Sequence, residues 1–479
     1  MIIDESKINK DDLHQASDNN NSGKNTKNWS GPSSIDRRSS QYFRRLVWIA
    51  TILGFAGRIL FVVFAKWHAI DWNDGATYHC AGQLMTHGYF FVREFTVINN
   101  NGASTFCFPS GQPTALHPPL FSLFVFIVDL LGFTGLGWQL IIMQILGTVA
   151  IPLTALVGKK LFDWRVGVLA AFIAAAYPGM WLASGQIEAE TLCQVLVLLT
   201  ILFGYRLIQK PTYWRAIVVG IFGALAALTR SEQVLLLPFV GIGLIWHVKL
   251  SYIKAFKLMG IMAVTGLAIV SPWIIRNALV FKTPVFMSDD MGYTLAISYC
   301  NPTFYASPGS TFSIDSPSTE GSYYQCSYPQ LKSGDESQQN NYEVSLAKKY
   351  VQTHLSRLPI VVLIREGRMW QFFDPIGEVR FDFNFEQWNY IGNIIKVICF
   401  YIMFPFTIIG ALNLRKRRVL LLPLLAPIIV ASIAVALFAY DPRFRVMSEA
   451  SIVVLASAGM VQLVDRIRLK HNKLNEKLP

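Results

Sequence analysis

Long apolar runs separated by short polar connectors are the feature that most constrains this chain. The first run, "VWIATILGFAGRILFVVFA", covers residues 47–65, and several later runs reach roughly 16–22 residues, the length with which a helix crosses the hydrocarbon of a bilayer. Only 15% of the residues are charged and the mean hydropathy is +0.39, whereas about a quarter of a typical soluble domain is charged. The fold class predicted is therefore an all-α polytopic integral membrane protein.

About ten transmembrane helices are predicted, together with interfacial helices on the outer face. The predicted spans lie near residues 46–66, 138–158, 166–186, 191–207, 214–229, 233–248, 256–275, 388–412, 419–438 and 448–464. The segment 118–135 is apolar but short and is interrupted by Asp129. We interpret it as a helix lying at the outer interface or re-entrant, since a further span would turn every later basic connector outward.

Basic residues determine the predicted orientation. The formal net charge is +12, but Lys and Arg cluster in alternate connectors, as the positive-inside rule expects of cytoplasmic loops, and a nucleic-acid-binding face is not indicated. The sequence "RRSSQYFRR" precedes the first span and "RKRR" occupies residues 415–418. Both termini are thus expected in the cytoplasm of a cell whose plasma membrane holds the protein. The first span is expected to remain as an anchor rather than to be cleaved as a signal peptide.

This topology divides the chain into five segments. They are a disordered cytoplasmic tail (1–45), an N-terminal transmembrane module (46–275) with a first outer loop (67–137), an outer loop layer (276–387), C-terminal transmembrane helices (388–465) and a cytoplasmic tail (466–479). Within the outer layer, "LPIVVLIREGRMWQFF" (358–373) is interpreted as an interfacial helix anchored by Trp370, Arg365 and Arg368.

The six cysteines agree with the same topology. Cys80 and Cys107 share the first outer loop, and Cys300 and Cys326 share the second. Two disulfides in an oxidising compartment and four free thiols are both compatible with this distribution. The other two cysteines, Cys193 and Cys399, fall inside predicted spans.

Charged residues also gather where predicted spans meet outer loops. The acidic positions are Asp71 and Asp74 in "DWNDGATY" and Glu188 and Glu190 in "GQIEAETL"; the others are His117, Arg230 with Glu232, Arg276, and Arg443 with Arg445. Each alone is compatible with an ordinary loop charge or with an arginine that reaches headgroups. Together on one face they suit an anionic, lipid-borne substrate, because arginine binds phosphate bidentately and a carboxylate accepts protons.

In their order and spacing these motifs resemble the GT-C superfamily of polyprenyl-phosphate-sugar-dependent glycosyltransferases. The similar groups are the protein O-mannosyltransferases, the lipid A aminoarabinose transferase and family-39-like enzymes of the lipopolysaccharide-core type. The motifs concerned are Asp74 to Tyr78 as "D-x-x-x-Y", "HPPLF" (117–121), "SGQIEAETL" with Glu190, "LTRSEQ" with Arg230, "PWIIRN" with Arg276, and the pair Arg443 and Arg445 in "RFR". Asp74 departs from the mannosyltransferase pattern, in which an Asp-Glu pair is usual, because Gly75 follows it.

The resemblance implies inverting transfer of a sugar from a polyprenyl-phosphate donor to a protein, lipid or polysaccharide acceptor at the outer face. On that basis Asp74 is the expected base and Glu190 a second catalytic carboxylate. The expected substrate-binding residues are Tyr78, His117, Arg230, Arg276, Arg443 and Arg445. No cofactor is predicted. The pair Asp289 and Asp290 could hold a divalent cation, but an obligatory metal is not predicted.

A transporter or lipid flippase of envelope glycan precursors is the alternative from another functional class. Such proteins usually carry ionisable groups and broken helices near the middle of the bilayer. Here the acidic residues lie at the predicted outer rim of the spans. This distribution favours an enzyme.

Overall fold

The computed structural model describes residues 37–67, 74–98, 105–247, 250–305, 326, 331, 333–384, 386–438 and 441–475. The helices in chain order are α1 (Arg37–Phe61), α2 (Asp74–Thr86), α3 (Pro119–Leu130), α4 (Leu136–Leu161), α5 (Trp164–Ala176), α6 (Ala189–Gln209), α7 (Tyr213–Ala227), α8 (Leu236–His247), α9 (Tyr252–Val280), α10 (Met291–Ser298), α11 (Asn301–Tyr305), α12 (Glu336–Thr353), α13 (Leu358–Met369), α14 (Pro375–Asn384), α15 (Tyr390–Lys416), α16 (Leu422–Leu437) and α17 (Arg443–Asn475). Two strands, β1 (Val92–Ile98) and β2 (Thr105–Pro113), form an antiparallel hairpin.

The predicted polytopic helical class is confirmed. Six helices in the described part of the chain, α1, α4, α6, α9, α15 and α17, are long and apolar enough to cross a membrane. The four other predicted spans correspond to shorter apolar helices, α5, α7, α8 and α16, which have between 12 and 16 residues. Helix α1 begins at Arg37, so the end of the predicted tail is helical. Residues 1–36, which include most of that tail, lie outside the described residues.

Helix α3 is the short apolar segment that the sequence left as interfacial or re-entrant. Its 12 residues extend about 18 Å, well short of the roughly 30 Å hydrocarbon thickness. Pro118 and Pro119 precede the helical hydrogen bonds, and Pro119 occupies the first turn, where a missing N–H costs nothing. The helix packs on α2 and leads into α4.

Small residues let α15 and α17 approach closely. A Cβ atom added at Gly410 of α15 would collide with the Leu455 carbonyl oxygen of α17, and one added at Gly459 would collide with the Phe406 carbonyl oxygen. Such backbone contact replaces the hydrophobic driving force that is missing between helices in lipid. The middle of α17 is thereby held against α15.

The two cysteine pairs that the sequence allowed as either disulfides or free thiols form disulfides. Cys80 of α2 bonds to Cys107 of β2, and Cys300 bonds to Cys326. Cys193 and Cys399 are free thiols. The first bond joins α2 to the hairpin, and the second joins the α10–α11 connection to a residue of the second outer loop.

The interpretation of Arg365 and Arg368 as membrane anchors is wrong. Both side chains are buried in the protein rather than directed to headgroups. Arg365 donates to the Ser298 carbonyl at 2.7 Å, and Arg368 forms a 2.5 Å ion pair with Glu378 of α14. The predicted helix exists as α13 (Leu358–Met369), but its arginines join it to α10 and α14.

The close packing of α15 on α17 predicts opposite results for two glycine substitutions. Gly410→Ala should lower the free energy of unfolding by about 1–3 kcal/mol, because the added methyl group forces the two helices apart. Gly260→Ala in α9, where no atom lies within 4 Å of the added Cβ, should be neutral or stabilising, since alanine is the better helix former. Thermal unfolding of the purified protein in detergent measures both, and equal effects would contradict the packing described.

Candidate active site

The guanidinium of Arg443, at the start of α17, lies among carboxylates from five positions. Its nearest partner is Asp74, whose Oδ2 accepts from Nη1 at 2.5 Å. The others within 4.0 Å are Asp441 (3.0 Å), Glu386 (3.4 Å), Glu188 (3.8 Å) and Glu190 (4.0 Å). We call these six residues the Arg443 cluster. Segments more than 300 residues apart in the sequence meet there.

Asp74 is positioned by the start of α2. It is the first residue of that helix, where a carboxylate is favoured by the unpaired N–H groups and the helix dipole. The Cys80–Cys107 disulfide then holds α2 to the hairpin. The Asp74 side chain keeps 34% of its surface exposed, so it remains accessible to a ligand.

The other acids of the Arg443 cluster are more deeply buried. Glu188 and Glu190 flank the first residue of α6, and Glu386 follows α14; each retains only 1% side-chain exposure. The Glu386 segment is fixed by Lys66, which donates to the Gln387 carbonyl at 2.6 Å, and by a hydrogen bond from Gln186 to the Glu386 carbonyl. Buried carboxylates persist in proteins only when they are paired or protonated.

Arg230 lies next to the cluster and shares one of its acids. It forms an ion pair with Glu190 and donates from Nε to Glu232 at 2.8 Å. The Phe444 ring lies 4.9 Å from the Arg230 guanidinium carbon, a cation–π distance. The guanidinium groups of Arg230 and Arg443 therefore both lie within 4.0 Å of the buried Glu190 carboxylate.

His117 and Tyr78 lie on the other side of Asp74. His117 Nε2 is 3.7 Å from Asp74 Oδ1. The Tyr78 ring packs on the imidazole with centroids 4.8 Å apart and meets Phe121 edge-on. Tyr78, one turn after Asp74 on α2, thus holds the histidine beside the carboxylate.

The structure engages Arg276 and Arg445 elsewhere. Arg276 donates to the carbonyls of Thr114 and Phe91, each at 3.0 Å, which attaches the loop before His117 to α9. Arg445 pairs with Glu449 at 2.7 Å and stacks on Phe400. Their substrate-binding role stays a prediction, and these contacts indicate positioning of the loop and of α17.

The carboxyl groups of the site differ in the direction of their pKa shifts. Burial alone would raise the pKa of Asp74, but the charge and the hydrogen bond of Arg443 outweigh it and hold that pKa well below its usual range. Burial raises the pKa of Glu386 well above its usual range, although Arg443 opposes the change. Burial also lowers the pKa of His117. At neutral pH, Asp74 is therefore the ionised acid and His117 is neutral.

Asp290 is a site residue that the sequence suggested only as a cation ligand. Its segment is attached on both sides: the Asp289 N–H donates to the Ala115 carbonyl at 2.8 Å, and Ser288 contacts Ser231 at 3.2 Å between hydroxyl oxygens. Burial and the negative charge of Asp74 raise the pKa of Asp290 to about 7. Among the described residues, no group of three or more His, Cys, Asp or Glu side chains is arranged to hold a metal ion.

The structure brings together six residues that the sequence predicted for the site: Asp74, Glu190, Arg230, His117, Arg443 and Tyr78. The sequence did not indicate Glu386 and Asp441 as members of the Arg443 cluster. Asp441 was visible in "YDPRFR" as a residue two positions before Arg443. No local signal distinguishes Glu386 in "FNFEQW", because only the tertiary fold carries it to α17.

The family model described as dolichyl-phosphate-mannose-protein mannosyltransferase (PMT_2) matches residues 116–275. No curated protein sequence shows a significant match.

Among solved structures, the apo oligosaccharyltransferase of Archaeoglobus fulgidus aligns with a TM-score of 0.51 at 15% identity, over 92% of this chain and 53% of that one. The same archaeal enzyme, in complex with an inhibitory peptide and a dolichol-phosphate, aligns at 0.50 and 16% identity, over 92% and 52%. ArnT from Cupriavidus metallidurans bound to undecaprenyl phosphate aligns at 0.38 and 12% identity, over 92% and 81%. The chain thus spans about half the length of the archaeal structures.

These comparisons identify the fold as that of the GT-C superfamily, which the motifs had indicated. The alignment with the archaeal structures covers nine-tenths of this chain. The chain is a multi-pass membrane protein with this fold.

The raised pKa of Asp290 predicts a pH-dependent effect of Asp290→Asn. A carboxyl group whose folded pKa of about 7 exceeds its unfolded value of about 3.9 destabilises the protein as the pH rises between the two values. The variant should therefore unfold at a higher temperature than wild type at pH 8, and the difference should shrink toward pH 5 and largely vanish near pH 4. A thermal-unfolding series from pH 4 to 8 measures this. A variant less stable than wild type at pH 8 would contradict the assigned environment.

Proposed function

We propose that the protein is a glycosyltransferase that moves a sugar from a polyprenyl-phosphate carrier to an acceptor, with inversion at the anomeric carbon. The observation that carries the proposal is the Asp74–Arg443 pair. An ionised carboxylate at the start of α2 is bonded at 2.5 Å to a guanidinium at the start of α17, a candidate membrane span. The site combines a proton acceptor with a phosphate-binding group. Inverting transfer with a phosphate leaving group requires both.

In the proposed step, the acceptor hydroxyl attacks the anomeric carbon from the face opposite the lipid phosphate. A new carbon–oxygen bond forms, and the bond from the anomeric carbon to the phosphate oxygen breaks with its electron pair on that oxygen. Asp74 takes the hydroxyl proton. Arg443 stabilises the negative charge that grows on the phosphate, and Arg230 lies close enough to the same acids to assist.

Arg443 connects proton acceptance by Asp74 with binding of the donor phosphate. While it is paired with Asp74, it lowers the pKa of that carboxyl and makes it a weak base. A donor phosphate offers the guanidinium a stronger partner. As the phosphate draws Arg443 away, the Asp74 carboxylate becomes more basic, so the base is activated only when the donor is bound.

Glu190 and His117 complete the proposed site. Glu190 holds Arg230 in place by an ion pair and thereby fixes the second guanidinium. His117 is neutral next to Asp74 and can orient the acceptor or a sugar hydroxyl. The family model named for dolichyl-phosphate-mannose and the archaeal structure containing dolichol-phosphate support a lipid-phosphate donor.

The cellular orientation belongs to the same proposal. We place the Arg443 cluster on the outer face of the plasma membrane and the N-terminus in the cytoplasm. Basic residues at the opposite ends of the helices, such as Lys160 and Arg215, support this orientation through the positive-inside rule. The disulfides at the cluster's end support an oxidising compartment there.

Envelope glycans from cells that lack the protein test the function. Mass spectrometry should show that one sugar is missing from a glycoconjugate and that wild type restores it. Asp74→Asn should not restore it, because loss of the base slows transfer roughly 10²- to 10⁴-fold.

A matched control is Asp465→Asn, which removes a carboxylate paired with Arg165 at the other end of the helices. It should restore the glycan fully, and membrane levels of all three proteins must be equal. Full restoration by Asp74→Asn would contradict its role as base, and an unchanged glycan profile with altered precursor distribution would favour a transporter.

The leaving-group role of Arg443 makes a separate prediction. Arg443→Lys keeps the charge but loses the planar fork that binds a phosphate through two parallel hydrogen bonds. Turnover should fall roughly 10²- to 10³-fold, with a smaller change in acceptor KM. Lipid-linked sugar consumption by the purified protein measures this, and near-normal turnover in the lysine variant would refute the role.

A further inference from the structure

A basic cavity lies at the ends of α4, α6 and α7 that are opposite the Arg443 cluster. Glu190 is in the first turn of α6 and Arg206 in its last turn, so about 24 Å of helix separates the two regions. The cavity volume is about 400 Å³. Its lining includes Lys160, Arg206, Lys210, Arg215, Gln209 and Trp214.

Four cationic side chains give this cavity its positive charge. Among the described residues, no carboxylate forms an ion pair with any of its four cationic side chains. The nearest candidate in sequence, Asp163, is paired with Arg165, and so is Asp465. Four like charges around one cavity repel one another, and an anionic ligand would relieve that repulsion.

The cavity walls are held by specific contacts rather than by solvated side chains alone. Arg215 donates from Nη1 to the Arg206 and Lys210 carbonyls, each at 2.9 Å, which fixes α7 against the end of α6. The Arg206 guanidinium carbon lies 4.8 Å from the Phe203 ring centroid. The Gln209 Nε2 group is buried without a hydrogen-bond acceptor among the described residues. A buried amide donor of this kind calls for an acceptor atom.

The surroundings of the cavity indicate a lipid rather than a soluble ligand. Trp214 is 69% exposed and Tyr213 is 54% exposed at the first turn of α7, and both residue types favour the headgroup level of a membrane. Phe203 and Val218 continue the lining along the apolar helices. A bound lipid could place its phosphate among the cations and its chains along this apolar surface.

We propose that this cavity is a binding site for the phosphate headgroup of an anionic membrane lipid. Basic cavities between membrane helices recognise such headgroups by charge and by hydrogen bonds. The proposal is independent of the glycosyl transfer proposed above, because none of the lining residues belongs to the Arg443 cluster.

The positive-inside rule also places basic residues at this end of the helices. Helix α9 therefore provides a control for the effect of positive charge outside the cavity. Lys254 and Lys257 lie in the first turns of α9, at the same end, and are exposed. Neither lines the cavity. If charge alone recruited lipid, their removal would have the same effect as removal of two cavity cations.

Native mass spectrometry of the purified full chain in detergent tests the proposal. Phosphatidylglycerol and phosphatidylcholine with identical acyl chains are titrated onto wild type, Lys160→Gln/Arg206→Gln and the control Lys254→Gln/Lys257→Gln. Wild type should bind the anionic lipid more tightly than the zwitterionic one. The cavity variant should lose roughly tenfold or more in affinity for phosphatidylglycerol, and the control should stay within about twofold of wild type.

Lys210→Glu changes an exposed side chain and replaces the double cavity variant if that variant fails to fold. It should also weaken the binding of phosphatidylglycerol. Equal binding of the two lipids by wild type, or equal losses in cavity and control variants, would overturn the site. Inorganic pyrophosphate forms the last arm. If it binds wild type with the same dependence on Lys160 and Arg206 and displaces the lipid, the ligand is a soluble phosphate and the lipid assignment is overturned.

Discussion

The ion pair between Arg443 and Asp74 is the contact on which the arrangement of the site depends. Arg443 begins α17, Asp74 begins α2, and their side chains meet at 2.5 Å. Four more carboxylates come within 4.0 Å of the same guanidinium. Without the arginine, these acids would be like charges buried together, and each would have to take up a proton or leave the protein interior.

Several other contacts position the helix that carries Arg443. The start of α17 is held by Gln194, which donates to the Val446 carbonyl at 2.9 Å, and by Tyr177, which donates to Glu449 at 3.0 Å. The glycine contacts between α15 and α17 fix the helix further along. A guanidinium held this firmly can exchange one anion for another without rearrangement of its helix, and preorganised charge of this kind is what a transition state requires.

Much of this architecture could be predicted from the sequence, because lipid imposes a simple rule. Each long apolar run had to become a helix, and all ten predicted spans correspond to helices. Asp74, Glu190, Arg230 and Arg443 were recognisable for the same reason, since charges at the ends of such runs have no packing role that apolar residues could not fill better.

The rest depended on tertiary contacts that leave no local pattern. Arg445 and Arg276 resemble Arg443 in sequence, yet one pairs with Glu449 and the other binds backbone carbonyls. Glu386 enters the cluster only because Lys66 and Gln186 hold its segment. The hairpin of β1 and β2 was missed, and Arg365 and Arg368 were assigned to the membrane surface because amphipathic periodicity does not distinguish a protein neighbour from a headgroup.

The central claim is that a lipid phosphate and Asp74 compete for Arg443. The most direct test is the affinity of the purified protein for polyprenyl phosphate without a sugar, measured by thermophoresis for wild type, Asp74→Asn and Arg443→Gln. The account predicts that Asp74→Asn binds the lipid phosphate more tightly than wild type, by roughly tenfold, and that Arg443→Gln binds it more weakly. Binding by Asp74→Asn that equals or falls below that of wild type would contradict the account.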